Sequence, residues 1–124
     1  MALRIGMHGA AGRMGRNIVQ RVSESDDLSL TVAIDAPGSL AIGRDAGELA
    51  GVGALGVPVS GSIESIAGAD VIIDFSLPTA IDPLLEAARQ HKKPLIIATT
   101  GLSPAQWRAI DELATVVPLV AAPN

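Results

Sequence analysis

Short apolar runs alternate with helical patterns along the whole chain. Continuous hydrophobic stretches predict strands at Leu3–Met7, Leu28–Ile34, Val57–Ser60, Val71–Phe75, Leu95–Ala98 and Leu119–Ala121. Between them, helical spacing predicts helices over Arg13–Val22, Ile63–Ala67, Ala80–His91 and Pro104–Leu113. In the first helix Met14, Ile18 and Val22 share one face. Strands buried on both sides read as unbroken apolar runs, and their alternation with helices favours parallel pairing. The expected architecture is α/β: a doubly wound parallel sheet in a single domain.

The boundaries carry their own chemistry. Ser103-Pro104 supplies a cap and a first-turn proline, and His91-Lys92-Lys93-Pro94 places positive charge at a helix C-terminus before a stop. That cationic cluster reads as a dipole-compensating end rather than a catalytic group. The longest irregular stretch, Ala36–Gly56, is rich in small residues, with one helical turn at Asp45–Leu49; a loop of that length is often functional. Pro118–Asn124 reads as a last strand, apolar on both faces, with nothing in the pattern to cover it.

Composition narrows the classes. The 124 residues suit one domain, and 48% hydrophobic content with a mean hydropathy of +0.42 fits a sheet buried on both sides. No apolar run approaches the roughly 18 residues of a membrane span, and the N-terminus lacks the order of a signal peptide. Cysteine is absent, which leaves no disulfide framework and no thiolate or metal chemistry, so a cytoplasmic location is expected. A net charge of −4 and only two aromatic residues, Phe75 and Trp107, argue against a nucleic-acid surface.

The strongest chemical signal is Gly9-Ala10-Ala11-Gly12-Arg13-Met14-Gly15, between the first strand and the first helix. Small residues let main-chain N–H groups approach a pyrophosphate, and the helix N-terminus adds partial positive charge. The usual dinucleotide fingerprint has its first two glycines one residue closer together. Asp35 follows the second apolar run, twenty positions after Gly15, where a carboxylate can accept ribose hydroxyls. Together these read as a nucleotide site on a Rossmann-like sheet.

These residues, with Asp45-Ala46-Gly47-Glu48-Leu49, Ile73-Asp74-Phe75-Ser76, Ala98-Thr99-Thr100-Gly101 and Ala122-Pro123-Asn124, resemble the cofactor half of the 4-hydroxy-tetrahydrodipicolinate reductase (dihydrodipicolinate reductase) family. The resemblance runs from Leu3 to Asn124. It implies an NAD(P)H-dependent reductase of lysine and diaminopimelate biosynthesis, with a dinucleotide domain followed by a substrate domain. It further implies that Gly9, Ala10, Ala11, Gly12, Arg13 and Met14 wrap the pyrophosphate and that Asp35 holds the adenosine ribose. Phe75 and Ser76 would line the nicotinamide side. Ala98, Thr99 and Thr100 would contact the nicotinamide ribose and face the substrate, with Thr100 nearest it. Ala122, Pro123 and Asn124 would form a hinge that touches the cofactor.

Two departures from the family pattern matter. Some members carry a basic residue after the acidic one, suited to a 2′-phosphate; here it is Ala36, which favours NADH over NADPH, although Arg13 can offset the repulsion. The family's catalytic paired histidine and lysine, and its substrate domain, are absent from these 124 residues. The chain therefore reads as a fragment that binds cofactor without turnover, with no catalytic residue of its own, from a family whose full-length members are oligomers. The alternatives are a stand-alone nucleotide-binding or sensing module and the cofactor half of another two-domain dehydrogenase, of the aspartate or homoserine type.

Other polar residues have plainer readings. His8 reads as a structural imidazole because no carboxylate partner is evident locally, and Asp74 as a cap or an orienter of a loop N–H. Phe75 reads as part core and part cofactor wall, and Trp107 carries no functional argument.

Overall fold

The computed structural model describes residues 2–122. Its elements, in order, are β1 (Leu3–His8), α1 (Arg13–Glu24), β2 (Leu28–Ile34), α2 (Ala46–Leu49), β3 (Val59–Ser60), β4 (Val71–Asp74), α3 (Ile81–His91), β5 (Leu95–Ile97), α4 (Pro104–Leu113) and β6 (Leu119–Ala121). Turns of 3₁₀ helix cover Ile63–Gly68 and Pro78–Ala80.

All strand pairs are parallel, and the sheet order is β3-β2-β1-β4-β5-β6. The chain winds outward from β1 to β3, returns to place β4 on the other side of β1, then winds outward again. That is the expected doubly wound arrangement, with its reversal between β1 and β4. Alternate side chains sort into two cores. Ile5, Met7, Leu30 and Val59 pack with Val19 and Val22 of α1; Ile72, Leu95 and Ile97 pack with Leu84 and Leu85 of α3 and Ile110 and Leu113 of α4. Trp107 joins the second core at its margin.

Two expected elements change character. The third strand keeps only Val59–Ser60 against β2, because Val57 and Pro58 pair back on the preceding loop. Ala46 N–H donates to Val57 O, Val57 N–H donates to Asp45 Oδ2, and Pro58 has no N–H to offer β2. The helix expected at Ile63–Ala67 is 3₁₀ over Ile63–Gly68: Ser62 gives it no side-chain cap, and Gly68 ends it within six residues. The remaining ends shift by a residue or two.

The Ala36–Gly56 stretch is organised by one carboxylate. Asp45 Oδ1 accepts the N–H groups of Gly47, Glu48 and Leu55, while Oδ2 accepts those of Gly56 and Val57. The same side chain therefore caps α2 and closes the loop that follows.

The last strand is covered on one face. Leu119 and Ala121 pack against the α3–α4 core, whereas Val120 is 59% exposed beside its partner Ile96, 39% exposed, on the other face. Helix α1 lies over β1 and β2 and does not reach that far.

The amides of Leu55, Glu48, Val57 and Gly56, led by that of Leu55, hold the Asp45 carboxyl below the usual carboxylate range. A carboxyl whose folded value is depressed adds stability above its unfolded value, and loses it as pH falls through the folded one. Asp45→Asn should therefore lower the thermal midpoint by several degrees at pH 7, with the gap to the parent closing as the pH is lowered below about 4. Thermal melts across pH check this; a gap that stays constant would refute it.

Candidate functional site

The turn after β1 is shaped by the strand beside it. Gly9 and Ala10 N–H both donate to Ile34 O, at 2.9 and 3.1 Å, at the tip of β2. Ala11 N–H donates to Asp35 Oδ2 at 2.8 Å, and Gly12 N–H turns back to Gly9 O at 3.1 Å. Three successive amides are thus consumed by the last residues of the neighbouring strand and its carboxylate.

The three glycines answer to different demands. Gly9 has φ +88°, and a Cβ there would lie 1.9 Å from Phe75 O. At Gly15 a Cβ would lie 2.0 Å from Gly9 O, so the helix seats on the turn only without a side chain. Gly12 is different: a Cβ would meet only Gly9 O, at 3.4 Å. Protein packing does not explain that glycine, whereas the close approach of another molecule would. Gly12 is also the N-cap of α1 with no side-chain acceptor, so no capping side chain serves the N–H groups of the first turn. Arg13 and Met14 are exposed there. The arrangement suits an anion.

Asp35 stands across the crevice from this helix end. Its Oδ1 accepts Ala36 N–H and its Oδ2 accepts Ala11 N–H, both at 2.8 Å, and each oxygen keeps acceptor capacity. Next to it opens a cavity of about 580 Å³, bordered by Gly12, Asp35, Pro37, Phe75, Ser76 and Leu77 among others. The cavity is mainly apolar with the carboxylate at one edge, a form that fits a nucleoside. A second cavity of about 560 Å³ lies between α3 and α4, near Asp82, Glu86, Arg89 and Gln106, away from the glycine turn.

At the sheet's centre the structure overturns one expectation. His8 does have a carboxylate partner: its Nδ1 lies 2.8 Å from Asp74 Oδ1, the two side chains being 6% and 0% exposed. They are directly opposite in the β1–β4 register. Asp74 neither caps nor orients a loop N–H. It also accepts the hydroxyls of Ser76, at Oδ1, and Thr99, at Oδ2, both at 2.6 Å, and Thr99 Oγ1 accepts Ser76 N–H at 2.8 Å. A buried carboxylate needs such donors. Sequence reading missed the pair because its members lie 66 residues apart; the signal was a polar residue closing each of two adjacent apolar runs.

This network sorts the threonines. Thr99 is buried with its hydroxyl on Asp74, whereas Thr100 is exposed at the rim; Ala98 is half-buried, its N–H on Asp74 O. Phe75 is partly buried against the α1-side core and also borders the cavity, as expected of a wall residue. Ala122 is exposed and donates its N–H to Ile97 O at 2.9 Å; the remaining expected hinge residues, Pro123 and Asn124, lie outside the described residues. His91 ends α3 and pairs with Glu64, followed by Lys92 in the left-handed conformation. Among the described residues no three His, Cys, Asp or Glu side chains gather as metal ligands, and no helix is long and apolar enough to cross a membrane.

Comparison with known proteins gives the family and the fold. A family model described as dihydrodipicolinate reductase, N-terminus, matches residues 3–124. The chain is 50% identical over 125 residues to 4-hydroxy-tetrahydrodipicolinate reductase of Alkalilimnicola ehrlichii, covering 100% of this chain and 47% of that protein. It therefore spans about half the length of the curated relatives it matches. Among solved structures, dipicolinate-bound dihydrodipicolinate reductase from Paenisporosarcina sp. TG-14 superposes with a TM-score of 0.77 at 23% identity, over 100% of this chain and 48% of that one. Homoserine dehydrogenase of S. aureus superposes at 0.70 with 18% identity, over 98% of this chain and 32% of that one. At those identities the two structures share the fold alone.

The glycines offer a direct check on the geometry. Gly9→Ala should cost more than about 2 kcal/mol, since it adds backbone overlap to an unfavourable φ. Gly12→Ala should cost no more than about 1 kcal/mol, the loss that follows from putting alanine at an N-cap. Equal losses in chemical denaturation would contradict the different demands placed on the two positions.

Proposed function

The chain belongs to the dihydrodipicolinate reductase family, and from that premise we propose that its 124 residues form the dinucleotide-binding domain of a cytoplasmic NAD(P)H-dependent reductase. The reaction is reduction of the double bond of a cyclic dihydropyridine dicarboxylate in lysine and diaminopimelate biosynthesis. The observation that carries the reading is Gly12, whose missing side chain clears the end of α1 while the fold itself would tolerate a Cβ.

The residues present fit a dinucleotide. The first turn of α1, from Gly12 to Met14, would hold the pyrophosphate through main-chain N–H groups and the helix dipole. Asp35, already fixed by two amides, has acceptor capacity left for the adenosine ribose hydroxyls. The end of the apolar cavity bordered by Asp35, Ala36 and Pro37 would take the base. Phe75, Ser76 and the Ala98–Thr100 segment would border the nicotinamide end, with Thr100 towards the substrate and the Ala122–Asn124 segment as the hinge. The nicotinamide, when bound, supplies the hydride; the chain's own residues bind it, orient it and keep water from its reactive face. The proton donor is assigned to the part of the family's length that this chain does not span. Curated relatives at 43–50% identity favour this reading over a different two-domain dehydrogenase.

NADH is the preferred cofactor in this reading. Asp35 is anionic, the next position is the uncharged and exposed Ala36, and a 2′-phosphate would bring negative charge to a carboxylate already pinned in place. Arg13, exposed in the first turn of α1, is the nearest cation in sequence to the phosphate cradle.

Fluorescence titration of the chain should show NADH binding about tenfold tighter than NADPH, equivalent to about 1.4 kcal/mol. Gly12→Val should weaken NADH by at least about tenfold while the thermal midpoint stays near that of the parent. No binding of either dinucleotide would overturn the assignment, and tighter NADPH binding would overturn the preference alone.

A further inference from the structure

One buried carboxylate ties together the tips of three strands at the point where the winding of the sheet reverses. Asp74, at the end of β4, receives His8 from β1, Thr99 from just beyond β5, and Ser76 from its own strand's exit. For stability alone, an apolar group of similar volume would serve as well or better in such a place, because desolvating a carboxylate is costly. An ionic hub at the crevice floor therefore calls for another reason. Resting on the dinucleotide reading above, we propose that His8 and Asp74 are positioning residues that set the nicotinamide end of the crevice before the cofactor arrives.

The argument is one of separable anchors. The adenosine end is held by Asp35 and Ile34 O, which fix the glycine turn through Gly9, Ala10 and Ala11. None of those bonds involves Asp74. The Phe75–Ser76 and Ala98–Thr100 segments depend on Asp74 instead, with Thr99 Oγ1 relaying between them by accepting Ser76 N–H. The imidazole orients the hub. Nδ1 donates to Asp74, which fixes the ring on the carboxylate and leaves Asp74 Oδ1 shared between His8 and Ser76. Without His8 the carboxylate loses the donor from β1 and can turn or hydrate, and Ser76 and Thr99 lose their common reference. Freedom gained at that end has to be given up again when a ligand binds, which weakens affinity.

Two ligands separate this from simple bracing of the core. NADH engages both ends of the crevice, whereas ADP carries only the adenosine and diphosphate. His8→Ala should raise the NADH dissociation constant about tenfold, as expected for one lost buried hydrogen bond, while changing that for ADP by less than about twofold. His8→Asn, whose amide nitrogen can stand near the position of Nδ1, should recover most of the loss. Thr99→Val, nearly isosteric, should repeat the selective effect and serves where His8→Ala does not fold. Titration of both ligands on the intact chain, with thermal melts of each variant, reads the result. Parallel loss of NADH and ADP affinity together with lowered stability would reduce the hub to a core brace and overturn the proposal, as would unchanged NADH affinity in His8→Ala and Thr99→Val. Failure of the parent chain to bind either ligand would instead remove the dinucleotide reading, and the positioning role with it.

Discussion

The parallel pairing of β1 on both sides is the constraint from which the crevice follows. On one side, β2 brings Ile34 O and Asp35 beside the turn that leaves β1, and those two groups take the amides of Gly9, Ala10 and Ala11. On the other side, the β4 register sets Asp74 opposite His8. Before His8 the strand itself contributes little chemistry: Ile5 and Met7 are core, and Gly6 has no side chain. What it contributes is alignment. A slip of one residue on either side would send side chains to the wrong one of the two cores and would pull apart both ends of the site together.

The proposed recognition of a strongly anionic ligand by a chain of net charge −4 involves no contradiction. The local field is set by oriented dipoles at the uncapped start of α1, and these act over a few ångströms, where net charge matters least. The acidic side chains near the site are meanwhile committed: Asp35 to Ala11 and Ala36, Asp74 to three side-chain donors, and Asp45 to five amides farther along the same loop. In each case the carboxylate serves as an acceptor that holds main chain or side chain in place.

Much of this was legible beforehand, and the reasons are specific. Buried parallel strands must be apolar on both faces, so five of the six runs announced themselves, and the glycine turn and Asp35 do meet, through Ala11 N–H on Asp35 Oδ2. Ser103-Pro104 was a sound cap: Ser103 Oγ accepts Gln106 N–H, and Gln106 returns its Oε1 to Ser103 N–H. Apart from the 3₁₀ turn at Ile63–Gly68, the misreadings come from pairing between separated segments. Val57 and Pro58 look like strand, yet they are claimed by Asp45 and Ala46. His8 looks isolated because its partner arrives 66 residues later through a neighbouring strand. Thr99 and Thr100 look equivalent, and only burial distinguishes the one that supports the floor from the one at the rim.

The half-covered outer sheet has a consequence of its own. Ile96 and Val120 form a hydrated aliphatic strip, and the free energy of shielding it depends on how water is organised around it. Excluded solutes such as sulfate or sucrose should push the strip toward concealment, and cooling should relax that drive, since apolar hydration becomes less unfavourable in the cold. Any concealment will leave a calorimetric imprint, a drop in heat capacity, whatever molecule supplies the cover. That imprint would report on two side chains of the outer strands β5 and β6.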